Sequence, residues 1–381
     1  MDICVLNPYF YPYKGGTEKV LLEVYRRLSK RHNVTVLTST VPGRNEHRRE
    51  EIEGIKVVRL KTHQYALPGL PLPFESFEGL NRQIEKLGAE LYHINNRYQY
   101  FYFNIKSIKS TGKLCLTIHN SLPMAINAPT DFFGLTYDLA WGRKIMHEAD
   151  LITGVSKNAI DVTVPKREKH KAHVVYNGVN SRNFRHYPKG NSKVAKITDE
   201  LSFKGPTIVC NGRLVPQKGQ LYLMQAMAMI SEGGNMPNLL LIGKGPMEQT
   251  LGYTAEKLGI NLRIRYDLGD DKLPYYYSAC DLSVMPSLYE PASLVALESM
   301  ACELPAIASR VGGLPEMIGP CGLYTKPKDP ASIAKAISEV LSDPKKARRM
   351  AKSGRKRVME RHSWDRIAKQ YEKLFLNTLR Y

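Results

Sequence analysis

Two acidic side chains and the loop between them carry the densest chemical signal in the chain. Pro286–Cys302 reads PSLYEPASLVALESMAC, with Glu290 in a turn-forming stretch. Glu298 follows among strong helix formers, about two helical turns along. The apolar run Asp281–Met285 just before reads as a short strand. Strand, loop and helix in that order put Glu290 at a strand's carboxyl end, where open α/β sheets bind ligands. The amides of Ala292, Ser293 and Leu294 are expected at the helix N-terminus, where unpaired N–H groups seat an anion. A carboxylate, an amide cluster and a second carboxylate suit a ligand with hydroxyls at both ends and phosphate between, as in a nucleotide sugar. Two glutamates at this spacing are common by chance, so the weight rests on their setting.

A second candidate segment, Gly212-Arg213-Leu214-Val215-Pro216-Gln217-Lys218-Gly219, also leaves a strand and enters a helix. Arg213 has the fork to grip two oxygens of a diphosphate, and Lys218 adds a point charge. A solvated basic loop is the plainer alternative, but the flanking glycines and the strand–loop–helix setting argue against it. Gly15–Gly16–Thr17 precedes a helix expected over 17–30, and two glycines there let backbone approach a phosphate or a sugar. A plain turn would use the same residues. His119 ends the strand Leu114–Ile118, a position that raises a functional reading to equal standing with a structural one. Gly312–Gly313 follows the strand Pro305–Ala308 and should converge with Arg213, Lys218 and Glu290 on one edge of a cleft.

These segments need a framework of parallel strands. Asp2–Leu6, Val34–Thr38, Ile55–Leu60, Leu91–Ile94, Leu114–Ile118, Leu151–Gly154 and Val174–Tyr176 read as strands separated by helices, which implies a doubly wound sheet. Tyr65–Phe77, rich in Pro, Gly and aromatics, reads as a loop. Residues 180–205 are polar and lysine-rich and read as a linker with one short helix. The pattern then restarts at Thr207–Asn211, with strands at Leu239–Ile242, 261–265, 281–285, Pro305–Ala308 and Gly322–Thr325. Helices at Pro330–Leu341, Pro344–Arg361 and Ser363–Leu379 close the sequence. The fold class expected is α/β: two Rossmann-like doubly wound domains facing a central cleft.

Composition narrows the function classes. The 381 residues are 43% hydrophobic and 24% charged, as in a globular protein with a sizeable core. No apolar run approaches the ~18 residues of a membrane helix, and MDICVLNPYFYP lacks the basic start of a signal peptide. The six cysteines form no C-x-x-C pair, and Cys4, Cys115 and Cys210 fall in expected strands. They read as buried thiols in a reducing, cytoplasmic compartment rather than as metal ligands. The net charge of +19 admits nucleic acid, an anionic membrane surface, anionic small substrates, or a basic surface with no single partner. No nucleic-acid-binding signature stands out.

The ordered set Gly15–Gly16–Thr17, His119, Asn177–Gly178–Val179, GRLVPQKG at 212–219, GKGP at 243–246, the Glu290-to-Glu298 segment, GGLPE at 312–316 and Trp364 in HSWDRIAKQY resembles the family 4 glycosyltransferases of the GT-B fold. The resemblance spans nearly the whole chain. It implies retaining transfer of a hexosyl group from a nucleotide-diphosphate sugar, with no cofactor and no metal. Arg213 and Lys218 would hold the diphosphate and stabilise the leaving group, Glu290 would bind donor-sugar hydroxyls, and Glu298 would bind the ribose. Gly16 and Gly243 would lie against the donor, as would the amides at Ala292, Ser293 and Leu294. His119 would hydrogen-bond the transferred sugar from the acceptor side. The closing helix would cross back to the N-terminal domain, giving domains 1–183 plus 363–381 and 184–362. One departure stands out: the family's usual Phe-Gly after Glu-Pro is here Ala292–Ser293.

Many such enzymes act on glycan, glycolipid or lipid-linked acceptors at the cytoplasmic membrane face. The basic helix 344–361 and the cluster Lys166, Arg167, Lys169 and Lys171 would suit an anionic membrane there. The alternatives are a transferase making a soluble glucan or disaccharide, a sugar-nucleotide epimerase, and a non-catalytic membrane-associated relic.

Overall fold

Short apolar strands alternating with helices build two parallel sheets, each in its own compact unit. The computed structural model describes residues 1–13, 15–41, 43–65, 74–95, 100–120, 128–231 and 236–380. Unit 1 comprises Met1–Asn177 and Trp364–Tyr381, and unit 2 comprises Gly178–Ser363. Against an expected boundary at 183/184, the compact units part at Asn177/Gly178.

Unit 1 holds β1 (Asp2–Leu6), β2 (Asn33–Ser39), β3 (Arg48–Ile52), β4 (Ile55–Leu60), β5 (Thr62–Tyr65), β6 (Phe74–Phe77), β7 (Leu91–Asn95), β8 (Lys113–Ile118), β9 (Leu151–Gly154) and β10 (Ala172–Val174). Eight of these form one sheet in the order β10-β9-β8-β7-β1-β2-β4-β3. All neighbours are parallel except β3, which runs antiparallel to β4. The full burial of Cys4, Val5, Leu6, Leu114, Leu116 and Ile118 follows from helices on both faces. Three strands were not expected from the sequence: Arg48–Ile52, Thr62–Tyr65 and Phe74–Phe77. Arg48–Ile52 (RREEI) has the charge of an edge strand rather than a core one. Phe74–Phe77 pairs with Thr62–Tyr65 as a two-stranded ribbon, so part of the expected 65–77 loop is strand, and 66–73 lies outside the described residues.

The helix Trp364–Arg380 belongs to unit 1, as the resemblance implied. Its Trp364, Tyr371 and Phe375 are buried. Tyr371 lies against Thr117 and Thr153, whose hydroxyls lie 2.6 Å apart on β8 and β9. Thr117 Oγ1 lies 2.6 Å from His93 Nε2, and Tyr25 OH meets His93 Nδ1. Arg27 pairs with Asp365 at 2.6 Å, and Arg31 and His32 both reach Glu372.

Unit 2 holds β11 (Thr207–Asn211), β12 (Asn238–Ile242), β13 (Leu262–Arg265), β14 (Leu282–Met285), β15 (Ala306–Ser309) and β16 (Leu323–Thr325), in the order β13-β12-β11-β14-β15-β16, all parallel. Ile208, Leu239, Leu241, Leu282 and Val284 pack against Leu223, Met227 and Ile337 of the covering helices. The segment expected as a linker is part of this unit. Phe184 is fully buried beside Tyr277, Val179 N–H donates to His362 O at 2.7 Å, and Ser192–Leu201 is helical.

Candidate active site

In unit 2 the sheet order reverses between β11 and β14, which creates a crevice at their carboxyl ends. Both candidate loops leave the sheet there. The loop after β11 is held along its length: Gly212 N–H donates to Ile242 O and Leu214 N–H to Lys244 O, each at 2.9 Å. The Gln220 side-chain amide donates to Arg213 O at 2.9 Å. The backbone at Arg213 is therefore fixed, while its guanidinium is exposed and meets no partner among the described residues. Gly243, expected at the donor, packs against this loop: its φ is +142°, and a Cβ there would lie 2.1 Å from Gly212 O.

The loop after β14 joins the same assembly. Leu288 N–H donates to Gln217 O at 2.7 Å. Lys218 Nζ lies 2.5 Å from Glu290 Oε2 in a part-buried ion pair, with Ser287 Oγ 3.5 Å from the same oxygen. The residue assigned to the diphosphate and the one assigned to the donor sugar thus touch. Gly313 N–H donates to Glu290 O at 2.9 Å, which fastens the loop after β15 to the carboxylate's own backbone. Lys218, Glu290 and Gly312–Gly313 are thus in contact, and Arg213 stands on the same loop as Lys218.

The helix itself runs Leu294–Ala301, and this corrects two expectations. Ser293 is the N-cap, its Oγ accepting from Ala296 N–H at 3.2 Å. Among the described residues the amides of Ala292, Ser293, Leu294 and Val295 meet no acceptor, Ala292 and Ser293 preceding the helix. The cap side chain sets the helix start, and Ser293, standing where the family usually has glycine, caps the helix. Glu298 is buried just over one turn into the helix, not two. It lies close enough to Tyr277 to help burial raise that phenol, which accepts from Asn211 Nδ2 at 2.7 Å.

In unit 1 the order reverses at β1, between β2 and β7. Gly15 is the N-cap and Gly16 the exposed first residue of the helix Gly16–Leu28, at the end of the loop from β1. Sequence reasoning missed Glu18. Its carboxylate folds back over Gly15, where a Cβ would lie 2.0 Å from Glu18 Oε2, and Asn7 Nδ2 donates to Oε1 at 3.3 Å. Burial raises the Glu18 pKa. An acid at the third helical position was the available signal. His119 follows β8, two strands from β1, and is buried with Nε2 3.4 Å from Asn95 Oδ1. Burial holds its pKa down at about 4, and that of His93 at about 3.

These two imidazoles predict acid lability. Both folded values lie below the unfolded ~6.5, so their contribution is complete above pH 6.5 and is lost as pH falls toward 4 and then 3. Between pH 7.5 and 5.5 each should cost about 1–1.5 kcal/mol. Urea midpoints across that range should fall less steeply for His119→Asn than for wild type; equal slopes would remove His119 from the account.

The basic clusters are less free than their sequence suggests. In the helix Pro344–Arg361, Arg355 donates to Phe184 O and Ala301 O, and Arg357 to Glu316 O and Met317 O. Lys345, Arg348, Arg349, Lys352 and Lys356 face outward. The cluster at 166–171 is a 3₁₀ helix in which Lys171 pairs with Glu168 and Lys169 with Asp161. All six cysteines are buried and unbridged, and burial pushes the Cys210 thiol up to about 12.

Comparison with known proteins bears on this geometry. Residues 14–183 match the model described as Glycosyltransferase Family 4, and residues 195–357 match Glycosyl transferases group 1. The chain belongs to glycosyltransferase family 4. An uncharacterized glycosyltransferase of Methanocaldococcus jannaschii is 36% identical over 205 residues, 52% of each chain. A GDP-mannose-dependent alpha-(1-6)-phosphatidylinositol monomannoside mannosyltransferase of Mycolicibacterium smegmatis is 32% identical over 42% of this glycosyltransferase and 44% of its own length. These two alignments thus span about half of either relative. The N-acetyl-alpha-D-glucosaminyl L-malate synthase of Bacillus anthracis aligns over 97% of this chain and 96% of its own at 26% identity. Among solved structures, Anabaena HepE in complex with UDP superposes with a TM-score of 0.78 at 20% identity, over 99% of this glycosyltransferase and 100% of that chain. The GT-B fold is thereby established for this glycosyltransferase.

Proposed function

We propose that this glycosyltransferase moves a hexosyl group, with retention at the anomeric carbon, from a UDP- or GDP-linked sugar to a glycan, glycolipid or lipid-linked acceptor. The observation that carries the reading is the Lys218–Glu290 pair at the carboxyl ends of β11 and β14, with the Arg213 guanidinium, unpartnered among the described residues, on the same loop as Lys218. Two cations and the Leu294 and Val295 amides supply the positive charge that a departing nucleotide diphosphate requires, so the reaction is proposed to need no metal. Glu290, held by Lys218 and by its backbone bond to Gly313, is placed to accept from sugar hydroxyls rather than to attack carbon. The C1–O bond to phosphate breaks, a C1–O bond to the acceptor forms on the same face, and the acceptor's proton passes to a donor phosphate oxygen. His119, neutral and fixed by burial, serves as a hydrogen-bonding partner to the sugar. The GDP-mannose dependence of the M. smegmatis enzyme and the UDP bound by the Anabaena protein support the donor class. A small soluble acceptor is the second reading, favoured by the near-full-length alignment to the malate synthase. We place the enzyme in the cytoplasm, at the inner membrane face when the acceptor is a lipid. Among the described residues no helix is long and apolar enough to cross a membrane.

Calorimetry against UDP-, GDP-, ADP- and dTDP-sugars, with and without chelator, tests this directly. One nucleotide class should bind with chelator present, and Arg213→Ala should weaken it by roughly 2 kcal/mol, as expected on losing a charge-assisted pair. Because the guanidinium is exposed, melting should be unchanged. Absence of binding to every sugar nucleotide would overturn the proposal.

A further inference from the structure

The helix Ala128–Tyr137 and the π-helical turn Asp138–Gly142 that continues it turn an apolar face to solvent. Phe132, Leu135 and Leu139, three and four residues apart, are 70%, 52% and 53% exposed, and Trp141 beyond them is 37% exposed. That spacing aligns the first three along one side, while Gly134 and Tyr137 are buried. A π-helical turn is itself a feature that gathers at functional sites. The next helix, Arg143–Glu148, opens with Arg143 and Lys144, both exposed and neither paired with a carboxylate among the described residues. The end of that helix is fastened to the basic 3₁₀ helix Lys166–Lys171: His147 Nδ1 lies 2.9 Å from Glu168 Oε1, and Lys171 Nζ donates to His147 O at 2.7 Å.

We propose that this face of unit 1 docks on an anionic lipid bilayer, its apolar side chains entering the boundary between headgroups and acyl chains while Arg143 and Lys144 meet lipid phosphates. An apolar stripe flanked by unpaired cations is the pattern of an interfacial helix. A second copy is a poorer occupant: burying the stripe in a self-contact would crowd the cations beside it, in a chain that already carries +19. The outward row Lys345, Arg349, Lys352 and Lys356 has charge but only Met359 as an exposed large apolar neighbour, so it can attract a surface without entering it. The use of the face to reach a lipid-linked acceptor rests on the functional reading above; the docking itself does not.

The test is co-sedimentation with vesicles of phosphatidylcholine alone and of phosphatidylcholine with about one third phosphatidylglycerol, read together with tryptophan emission. The chain has two tryptophans, and Trp364 is 1% exposed, so a blue shift on binding reports Trp141. Wild type should bind the anionic vesicles with a blue shift that Trp141→Phe abolishes. The combined variant Phe132→Ser, Leu135→Ser, Leu139→Ser should lose at least tenfold in partitioning, with melting and nucleotide affinity retained. Lys345→Glu, Arg349→Glu, Lys352→Glu together should keep the blue shift. The proposal falls if wild type does not bind, if the serine variant binds like wild type, or if that variant only converts a dimer to a monomer. Vesicle binding without nucleotide binding would support the docking face and count against the transferase reading alone.

Discussion

Turnover is expected to fall about 10²–10³-fold in Lys218→Ala, the loss typical of removing a preorganised charge from a transition-state site. The ion pair makes the effect more than the loss of one cation. With Lys218 gone, the Glu290 carboxylate keeps its burial and loses the ammonium 2.5 Å away, leaving an uncompensated negative charge beside the diphosphate seat. Free nucleotide diphosphate should therefore bind more weakly to Lys218→Ala than to the double variant Lys218→Ala, Glu290→Gln, although both transfer sugar far more slowly than wild type. A double-mutant cycle on nucleotide affinity checks this. Strict additivity of the two changes would mean that the pair does not couple the phosphate and sugar ends of the site.

The second large effect belongs to Gly312. Its φ is +52°, and a Cβ would lie 2.2 Å from Glu290 O. Gly312→Ala combines left-handed backbone with a collision against another backbone, which no rotamer change relieves. A loss of about 2–4 kcal/mol is expected, together with weaker binding of the sugar nucleotide, because the displaced backbone carries Glu290. Gly252→Ala is the matched control: it lies within the helix Glu248–Lys257, with nothing within 4 Å of the added carbon, and should be neutral or stabilise by up to ~1 kcal/mol. Urea unfolding separates the two. Equal midpoints for Gly312→Ala and wild type would show that the loop after β15 yields freely, and would weaken its assigned role in holding Glu290.

The outline of this molecule was legible because its strands are short apolar runs, such as DICVL and KLCLTI, with glycine-bearing turns at their ends. The Arg48–Ile52 strand was not legible, since charged residues on both faces leave no alternation to read. Within the site, residue types and loop positions foretold the gathering of Lys218, Glu290 and Gly312. Direct pairing of Lys218 with Glu290 was beyond reach, because it depends on two loops 72 residues apart being hydrogen-bonded through Gln217 and Leu288. The start of the helix after Glu290 was misplaced for a smaller reason: a single hydroxyl, on Ser293, decides where helical geometry begins. Glu18 and His93 draw their character from burial, which sequence does not display. For the same reason Arg355 and Arg357 passed for surface charge when they are ties to backbone carbonyls.

The helix Trp364–Arg380 lends Tyr371 to the polar network beneath the sheet of unit 1, yet it is joined to the chain only after unit 2. During synthesis, the strands of unit 1 emerge first and wait while residues 178 to 363 are made, tens of seconds at roughly 5–20 residues per second. Throughout that interval His93, Thr117 and Thr153 lack the phenol that meets them, and the groove later filled by Trp364 and Phe375 is open to water. Unit 2, continuous in sequence, can finish folding first. A nascent chain halted before Trp364 should thus present a protease-resistant unit 2 behind a still labile N-terminal half, reversing the usual order in which domains mature.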